Sequence, residues 1–169
     1  MDDDGAMDDD QIDTAVRRSM RVLVQSEVMG ERLFGIAERH ARTKRDRRMW
    51  GALHALEEQT RAAVFERYGA DIDRVTYASG IGYLAGGAGG AGLWLMPRSL
   101  QLRSLVLGTK PFVPHFRRLD AHFAGTADAP FFSYVLAHEY AIAESGRRAL
   151  TRADEALAPV EALLGNVPG

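Results

Sequence analysis

The stretch MRVLVQSEVMGERLF, residues 20–34, decides the fold class of this chain. Its large apolar side chains recur every three or four residues, as on one face of an α-helix, and the same periodicity runs without a proline through residues 11–43. Glu27 and Glu31 fall on this apolar face, whereas arginines occupy the opposite face. Because an unpaired buried carboxylate costs several kcal/mol, such residues are normally paired, protonated or bound to a metal. The stretch therefore predicts a long helix that carries a polar site into a helical core.

A second amphipathic helix is predicted to follow the basic run at residues 42–48, where the chain can turn, and to end near Tyr68. Glu57 lies on its apolar face, and His54 and Glu58 lie within about one helical turn of Glu57. The two predicted helices form an antiparallel hairpin.

Levels along this hairpin follow from the distance of each residue to the turn, because both helices rise about 1.5 Å per residue. Glu31 is then level with Glu58, the residue after Glu57. Glu27 is level with the residue that follows Arg61. We therefore expect Glu31 to meet Glu57 or Glu58. Glu27 is open to two interpretations, an interhelical salt bridge with Arg61 and a second-choice metal ligand.

Residues 75–96 form an uncharged, glycine-rich segment. Its length permits a membrane span, and Gly82, Gly86 and Gly90 have the four-residue spacing of helices that pack closely. Glycine weakens a helix by about 1 kcal/mol relative to alanine, and few of these positions are large and apolar. We therefore favour a buried helix whose backbone approaches a neighbour over a spanning or membrane-dipping segment.

The rest of the chain predicts a broken third layer and one more long helix. Three prolines interrupt residues 97–114, which follow the glycine-rich segment. Pro130 then opens a helix that runs to about Leu150, and a short C-terminal helix comes after it. We expect an all-α fold, an antiparallel four-helix bundle with a glycine-rich, broken third layer, in which residues 11–169 form a single domain.

His138 and Glu139 flank the apolar stripe of this last long helix. Carboxylates from different helices, completed by one or two imidazoles, are the arrangement that holds paired iron or manganese ions inside helical bundles. The oxygen ligands stabilise the oxidised metals, and neutral imidazole completes the coordination. Seven side chains on these helices are the candidate metal ligands: Glu27, Glu31, His54, Glu57, Glu58, His138 and Glu139.

Two short motifs and one segment carry a family resemblance. SEVMGE at residues 26–31 resembles the Gly-Glu element with which rubrerythrins and related ferritin-like proteins place their first metal carboxylate. LEEQT at residues 56–60 is similar to the second-helix position where that superfamily has Glu-x-x-His. The uncharged stretch GIGYLAGGAGGAG is similar in character to the glycine-rich, substrate-side segment of the demethoxyubiquinone hydroxylases, which are ferritin-like di-iron enzymes. The resemblance implies a ferritin-like bundle, an iron (di-iron) or manganese cofactor, and an oxidoreductase that acts on an apolar small molecule.

The chain departs from the ferritin-like pattern in its histidines. Glu-x-x-His does not occur in the sequence, Thr60 stands where the second-helix histidine would be, and His138 directly precedes Glu139. If no metal binds, the same side chains form a buried hydrogen-bonded network. The expected metal site is atypical, with these ligands: Glu31, Glu57 or Glu58, His138, Glu139 and, as a ligand or a supporting residue, His54.

Composition narrows the classes of function. The net charge of −2, from 21 Lys and Arg against 23 Asp and Glu, argues against a nucleic-acid partner. The chain has no cysteine, so any metal must be held by histidine and carboxylate, and the lack of disulfides fits a cytoplasmic protein. Residues 1–10, MDDDGAMDDD, lack the apolar run of a secretory signal and predict a disordered acidic tail.

Three functions are compatible with these patterns. The first is a metal-dependent oxidoreductase, whose catalytic residues the sequence does not identify. The second is a non-catalytic helical protein whose glycine-rich segment binds a partner, a second copy of the chain in a homodimer, or a membrane surface. The third is a metal-free ligand-binding protein or non-redox enzyme built on the same bundle.

Overall fold

The computed structural model describes residues 9–68, 84–88, 91–151 and 155–168. Six helices in these ranges are α1 Asp9–Arg39, α2 Lys44–Tyr68, α3 Arg98–Gly108, α4 Val113–His122, α5 Ala129–Leu150 and α6 Ala158–Glu161. Residues 84–88 and 91–95 are helical as well, and none of the described residues forms a strand. The all-α prediction is therefore confirmed for the described ranges. The expected tail at residues 1–10 lies outside them, apart from its last two positions, with which α1 begins.

The hairpin of α1 and α2 is tighter than the basic run at residues 42–48 suggests, because α2 already begins at Lys44. Thr43 precedes α2, and its Oγ1 accepts a hydrogen bond of 3.0 Å from the backbone N–H of Asp46. The same hydroxyl donates to the Asp46 carboxylate over 2.8 Å. Thr43 thus caps α2 by accepting a hydrogen bond from a backbone N–H of the first turn, which has no partner within the helix. The helix therefore starts within the charged run.

The other helices pack around this hairpin. α4 lies against α1, and α6 lies against α2. α5 packs against α2, α3, α4 and α6. Pro130 stands in the first turn of α5, where its missing N–H costs no hydrogen bond, so the helix begins where the sequence predicts. The central position of α5 brings its residues next to those of the hairpin.

Buried apolar side chains form two clusters, one toward each end of the hairpin. The cluster nearer the turn includes Phe34 and Trp50, whose rings stack with their centroids 6.0 Å apart. The other cluster includes Leu23 and Val64. α5 contributes side chains to both clusters. The positions between them on α1, α2 and α5 hold the polar residues of the candidate site.

The glycine-rich segment approaches α1 closely at Gly86. A Cβ atom at this position would lie 2.4 Å from the carbonyl oxygen of Met29, so a side chain would force the two backbones apart. The four-residue glycine spacing predicts such an approach, and Gly82 and Gly90 lie outside the described residues. Residues 84–88 are therefore held against the same helix that carries Glu27.

Large apolar side chains of this segment are exposed, which differs from the expected fully buried helix. Leu84 is 74% exposed and Leu95 is 73% exposed. The segment turns Gly86 and Gly87 toward α1, and these leucines extend away from that contact. None of the helices in the described ranges combines the length and apolar character needed to cross a membrane.

Candidate metal centre

Glu27 of α1, Glu57 of α2 and His138 of α5 meet in the interior, between the two apolar clusters. The three residues are 1%, 5% and 0% exposed, respectively. His138 Nδ1 lies 3.8 Å from Glu27 Oε1, and His138 Nε2 lies 3.8 Å from Glu57 Oε1. One ligand atom from each side chain lies within 4.8 Å of the other two. Three helices therefore bring two carboxyl groups and one imidazole to one buried point.

Glu139 and Gly30 lie beside these three residues. Glu139 is 5% exposed, and its charge acts on the carboxyl groups of both Glu27 and Glu57. A Cβ atom at Gly30 would lie 2.3 Å from Glu57 Oε1, well inside van der Waals contact. The carboxyl group of Glu57 therefore occupies space that a side chain at position 30 would fill.

Three atoms of the cluster have no hydrogen-bond partner among the described residues: Glu27 Oε2 and both ring nitrogens of His138. The separations of 3.8 Å between ring nitrogens and carboxyl oxygens are too long for hydrogen bonds. Buried polar groups are paired in most native proteins, so these atoms are available to a bound ligand. Two atoms that bind one ion at about 2.1 Å can lie up to about 4 Å apart, and each ring nitrogen of His138 lies within this limit of one carboxyl oxygen.

Burial controls the protonation of the cluster. Burial and the Glu139 charge raise the pKa of Glu27 well above its usual value, although a hydrogen bond from Glu57 opposes the rise. Burial and the charges of Glu27 and Glu139 raise the pKa of Glu57 likewise. Burial also raises the pKa of Glu139 to about 8 and lowers the pKa of His138 to about 3. Without a cation, burial therefore favours the neutral forms of the imidazole and of the carboxyl groups.

The donor set fits a divalent transition metal. Carboxylate oxygens and a neutral imidazole are the ligands that iron and manganese take in helical bundles. One nitrogen of His138 can bind an ion while the other donates its N–H to a carboxylate, as metal-bound histidines usually do. Three carboxylates carry a charge of −3, which differs by one unit from the charge of one divalent ion and from that of two. Binding of one ion and binding of two are therefore both electrostatically reasonable.

An apolar cavity of about 330 Å³ borders the cluster. Glu27, Glu57 and Glu139 line it together with apolar side chains such as Leu33, Phe34, Leu105 and Ile142. An apolar cavity of about 150 Å³ is enough to bind benzene, so this one has room for a larger molecule. The carboxyl groups thus face a space that suits an apolar ligand.

The expected salt bridge between Glu27 and Arg61 is wrong, because Arg61 binds Glu31 instead. The side chains of Glu31 and Arg61 are 28% and 34% exposed, which places this pair at the edge of the hairpin. Glu31 still lies close enough to raise the pKa of Glu57. The sequence made Glu31 a preferred metal ligand and Glu27 a second choice. In the structure Glu27 lies in the cluster, and Glu31 lies beside it in the ion pair with Arg61.

His54 and Glu58 also lie apart from the cluster. His54 Nδ1 is 3.1 Å from Glu38 Oε2, in a half-buried pair that the sequence did not suggest. Gly35 leaves room for the imidazole, since a Cβ atom there would lie 3.1 Å from His54 Nε2. Glu58 is exposed. One residue along a helix rotates a side chain by about 100°, and here this rotation turns Glu58 away from the buried face that holds Glu57.

A hydrogen-bonded group near the cluster includes Thr60, where the ferritin-like pattern has histidine. Thr60 is fully buried, and its hydroxyl donates to the carbonyl of Leu56 over 2.9 Å. Tyr134 Oη lies 3.0 Å from Thr60 Oγ1 and accepts a hydrogen bond of 2.7 Å from Gln59. Sequence reasoning missed Tyr134, although its place four residues before His138 put both on one helix face.

No protein-family model, no curated protein and no solved structure matches the chain. The basis for assigning a function is therefore the geometry of the four buried residues and of the cavity beside them.

Proposed function

We propose that the protein binds one transition-metal ion, or a pair of iron or manganese ions, and acts as an oxidoreductase on an apolar small molecule. The ligands are Glu27, Glu57, His138 and Glu139. The observation that carries the proposal is the fully buried imidazole of His138, whose two nitrogens each face a carboxyl oxygen at 3.8 Å without a hydrogen bond. A purely structural histidine at this depth is expected to hydrogen-bond directly to its neighbours.

The residues around the cluster have distinct roles in this function. The three carboxyl groups and His138 hold the metal, which when bound supplies the activation of dioxygen. Gly30 leaves the space into which the Glu57 carboxyl group extends. The apolar walls of the cavity hold the substrate beside Glu57 and Glu139 and keep bulk water away from the reacting groups.

A ferritin-like arrangement is the finer fold that we propose for these helices. In ferritin-like proteins, metal carboxylates project inward from several helices of a bundle, and here α1, α2 and α5 supply the buried ligands. The α3–α4 region offers Asp120, but its carboxylate accepts a hydrogen bond of 2.6 Å from Ser133. A site with four protein ligands instead of six suits a single ion or two ions with unequal coordination.

Metal titration with two neighbouring variants tests the proposal. Metal-free protein titrated with Mn(II), or with Fe(II) under anaerobic conditions, is expected to bind about one or two ions per chain. Glu57→Gln replaces a buried ligand and should lower the metal affinity by about 10- to 100-fold. Glu58→Gln makes the same chemical change at the adjacent, exposed position and should leave the affinity unchanged.

Two results would contradict the proposal. One is metal content below about a tenth of an equivalent after anaerobic Fe(II) loading. The other is an equal loss of affinity in Glu57→Gln and Glu58→Gln, which would place the bound metal on the surface.

A second candidate function is binding of an apolar partner through the glycine-rich region. The exposed side chains of Leu84, Leu95 and Leu107 favour it, since large apolar groups cluster at interaction surfaces. The partner would be a second copy of the chain or a membrane surface. Two measurements test this function: the molar mass from size-exclusion light scattering, and flotation with liposomes. A protein that stays monomeric and does not float with liposomes would contradict it.

A further inference from the structure

The cavity beside the cluster adjoins a second cavity. Their volumes are about 330 Å³ and about 140 Å³. Leu93 and Met96 line both cavities, so these two side chains lie at the junction. Methionine is unbranched and adapts its shape easily, and Met96 is 42% exposed. The two cavities therefore meet at Leu93 and at an adaptable methionine side chain.

The second cavity carries a positive charge. Arg42, Arg98 and Asp46 line it, together with polar groups and the rings of Trp50 and Trp94. Arg98 and Asp46 form an ion pair, so their charges cancel. Arg42 has no ion-pair partner within the described part of the chain. A net positive charge, on a guanidinium that binds carboxylate and phosphate groups well, is therefore available to an anionic ligand.

The two cavities follow one another along α1. The first is lined between Ser26 and Phe34, and the second from Ala37 to Arg42. From Glu27 to the end of α1 at Arg39 the helix advances about 18 Å. An extended chain of carbon–carbon single bonds advances about 1.3 Å per carbon, so about 14 carbons span this distance.

The volume of the first cavity leads to a similar length. A cavity of about 150 Å³ holds the six carbons of benzene, so one of about 330 Å³ holds about twelve carbons. The arrangement of the two cavities one after the other along α1 favours a straight chain over a fused ring system. Arg42 also orients a charged ligand, since its guanidinium attracts an anionic head, whereas burying that head in the apolar first cavity would be costly.

We infer that the two cavities together bind a linear amphiphile with an alkyl chain of about 12 to 14 carbons and an anionic head. The chain runs from Glu27, Glu57 and Glu139 through the first cavity and past Leu93 and Met96, and the carboxylate or phosphate head lies in the second cavity at Arg42. This inference names the substrate class and rests on the proposed function for the chemistry. Binding itself needs only the cavities and Arg42.

A chain-length series tests the inference on metal-free protein. The probes are straight-chain carboxylates from about 8 to about 16 carbons, and their affinities are measured by calorimetry. Each methylene that enters the cavity should tighten binding about fourfold, and the gain should end near 12 to 14 carbons, where the cavity is full. Affinity that does not depend on chain length would overturn the inference.

Two arginine variants test the position of the head. Arg42→Gln should weaken the binding of tetradecanoate about five- to tenfold and should leave the binding of the uncharged tetradecan-1-ol unchanged. Arg47→Gln removes the same charge from the first turns of α2, at a residue that is exposed like Arg42 but lines neither cavity, and should leave the binding of both ligands unchanged. Two results would show that no head-group site exists at Arg42. One is an equal loss of tetradecanoate affinity in Arg42→Gln and Arg47→Gln, and the other is an equal loss of affinity for tetradecanoate and tetradecan-1-ol in Arg42→Gln.

The same probes separate this inference from the proposed function. Protein that binds tetradecanoate through Arg42 but takes up no metal contradicts only the metal proposal. Protein that binds Mn(II) but no carboxylate of any length contradicts only the amphiphile site. If tetradecanoate binds only the metal-loaded protein and is insensitive to Arg42→Gln, its head lies on the metal and the inferred orientation is wrong.

Discussion

Gly30→Ala is expected to abolish metal binding while the helical fold remains. The new Cβ atom would lie 2.3 Å, 2.4 Å and 2.6 Å from Oε1, Cδ and Oε2 of Glu57, so the whole carboxyl group must move away. Glu57→Gln keeps an amide oxygen near the ligand position, whereas Gly30→Ala displaces both oxygens. We therefore expect the larger loss here, at least about 100-fold in metal affinity. Titration with Mn(II) measures this loss.

The fold should survive this change because the displaced atoms are the end of a flexible side chain. Alanine in place of glycine also favours the helix by about 1 kcal/mol, which offsets part of the strain. Gly35→Ala is the matched control on the same helix, since its Cβ atom would meet the ring of His54 at 3.1 Å and no atom of the cluster. Unchanged metal affinity in Gly30→Ala, or an equal loss in Gly35→Ala, would contradict the assigned role of Glu57.

Metal-free protein is expected to lose stability, by about 2 kcal/mol from Glu139 alone, as the pH rises from about 6.5 to above 8. A carboxyl group whose pKa is raised by folding stabilises the protein below its unfolded pKa and loses this contribution as the pH passes its folded pKa. For Glu139 the shift from 4.5 to about 8 corresponds to about 5 kcal/mol, which is lost progressively between these two pH values and of which about 2 kcal/mol is lost above pH 6.5. The depressed pKa of His138, about 3, acts only below pH 6.5, so it does not offset this loss. Urea denaturation between pH 6 and pH 9 measures the profile.

Bound metal should reverse this dependence on pH. Metal binding requires deprotonated ligands, so its stabilising contribution grows over the range in which the metal-free protein weakens. Glu139→Gln keeps the shape of the protonated side chain without its titration and should flatten the metal-free profile. Glu58→Gln is the control and should leave it unaltered. A metal-free protein whose stability is constant or rises from pH 6.5 to pH 8.5 would contradict the buried, uncompensated state of these carboxyl groups.

Much of the helical framework could be predicted because its determinants are local. The three- to four-residue spacing of apolar side chains and the proline at the start of α5 predicted α1, α2 and α5 without reference to tertiary contacts. The start of α2 was placed too late, because the capping pair of Thr43 and Asp46 lies inside a run that reads as a charged turn. Within these few residues, the capping signal of Thr43 and Asp46 favours a helix start and the run of basic residues favours a turn.

The composition of the cluster was only partly predictable. Glu57, His138 and Glu139 were candidates because they lie on apolar helix faces, and all three are buried. Glu27 and Glu31 share one face, but four residues rotate a side chain by about 40°, which separates the centre of a helix contact from its edge. Periodicity alone cannot tell which of the two glutamates lies at the centre of the contact. Glu31 is held at the edge by Arg61, which lies on another helix.

The cavity could not be predicted from any local pattern. Its walls come from α1, α3 and α5 and from the region around Leu93 and Met96, so it depends on how distant segments pack. The contact between Gly86 and Met29, which helps to place that region, was the one part of this packing that glycine spacing indicated. Tyr134 and its hydrogen bonds depend on tertiary contacts in the same way.

The location of the cluster between two apolar cores makes it the layer through which the two ends of the bundle are coupled. When protons or a cation neutralise its carboxyl groups, the layer is cohesive, and both cores open together as one cooperative unit. When the groups are charged and uncompensated, the layer becomes the weakest section of the bundle, and each core can open on its own. We therefore expect occupancy of the cluster to decide whether this chain unfolds as one unit or as two.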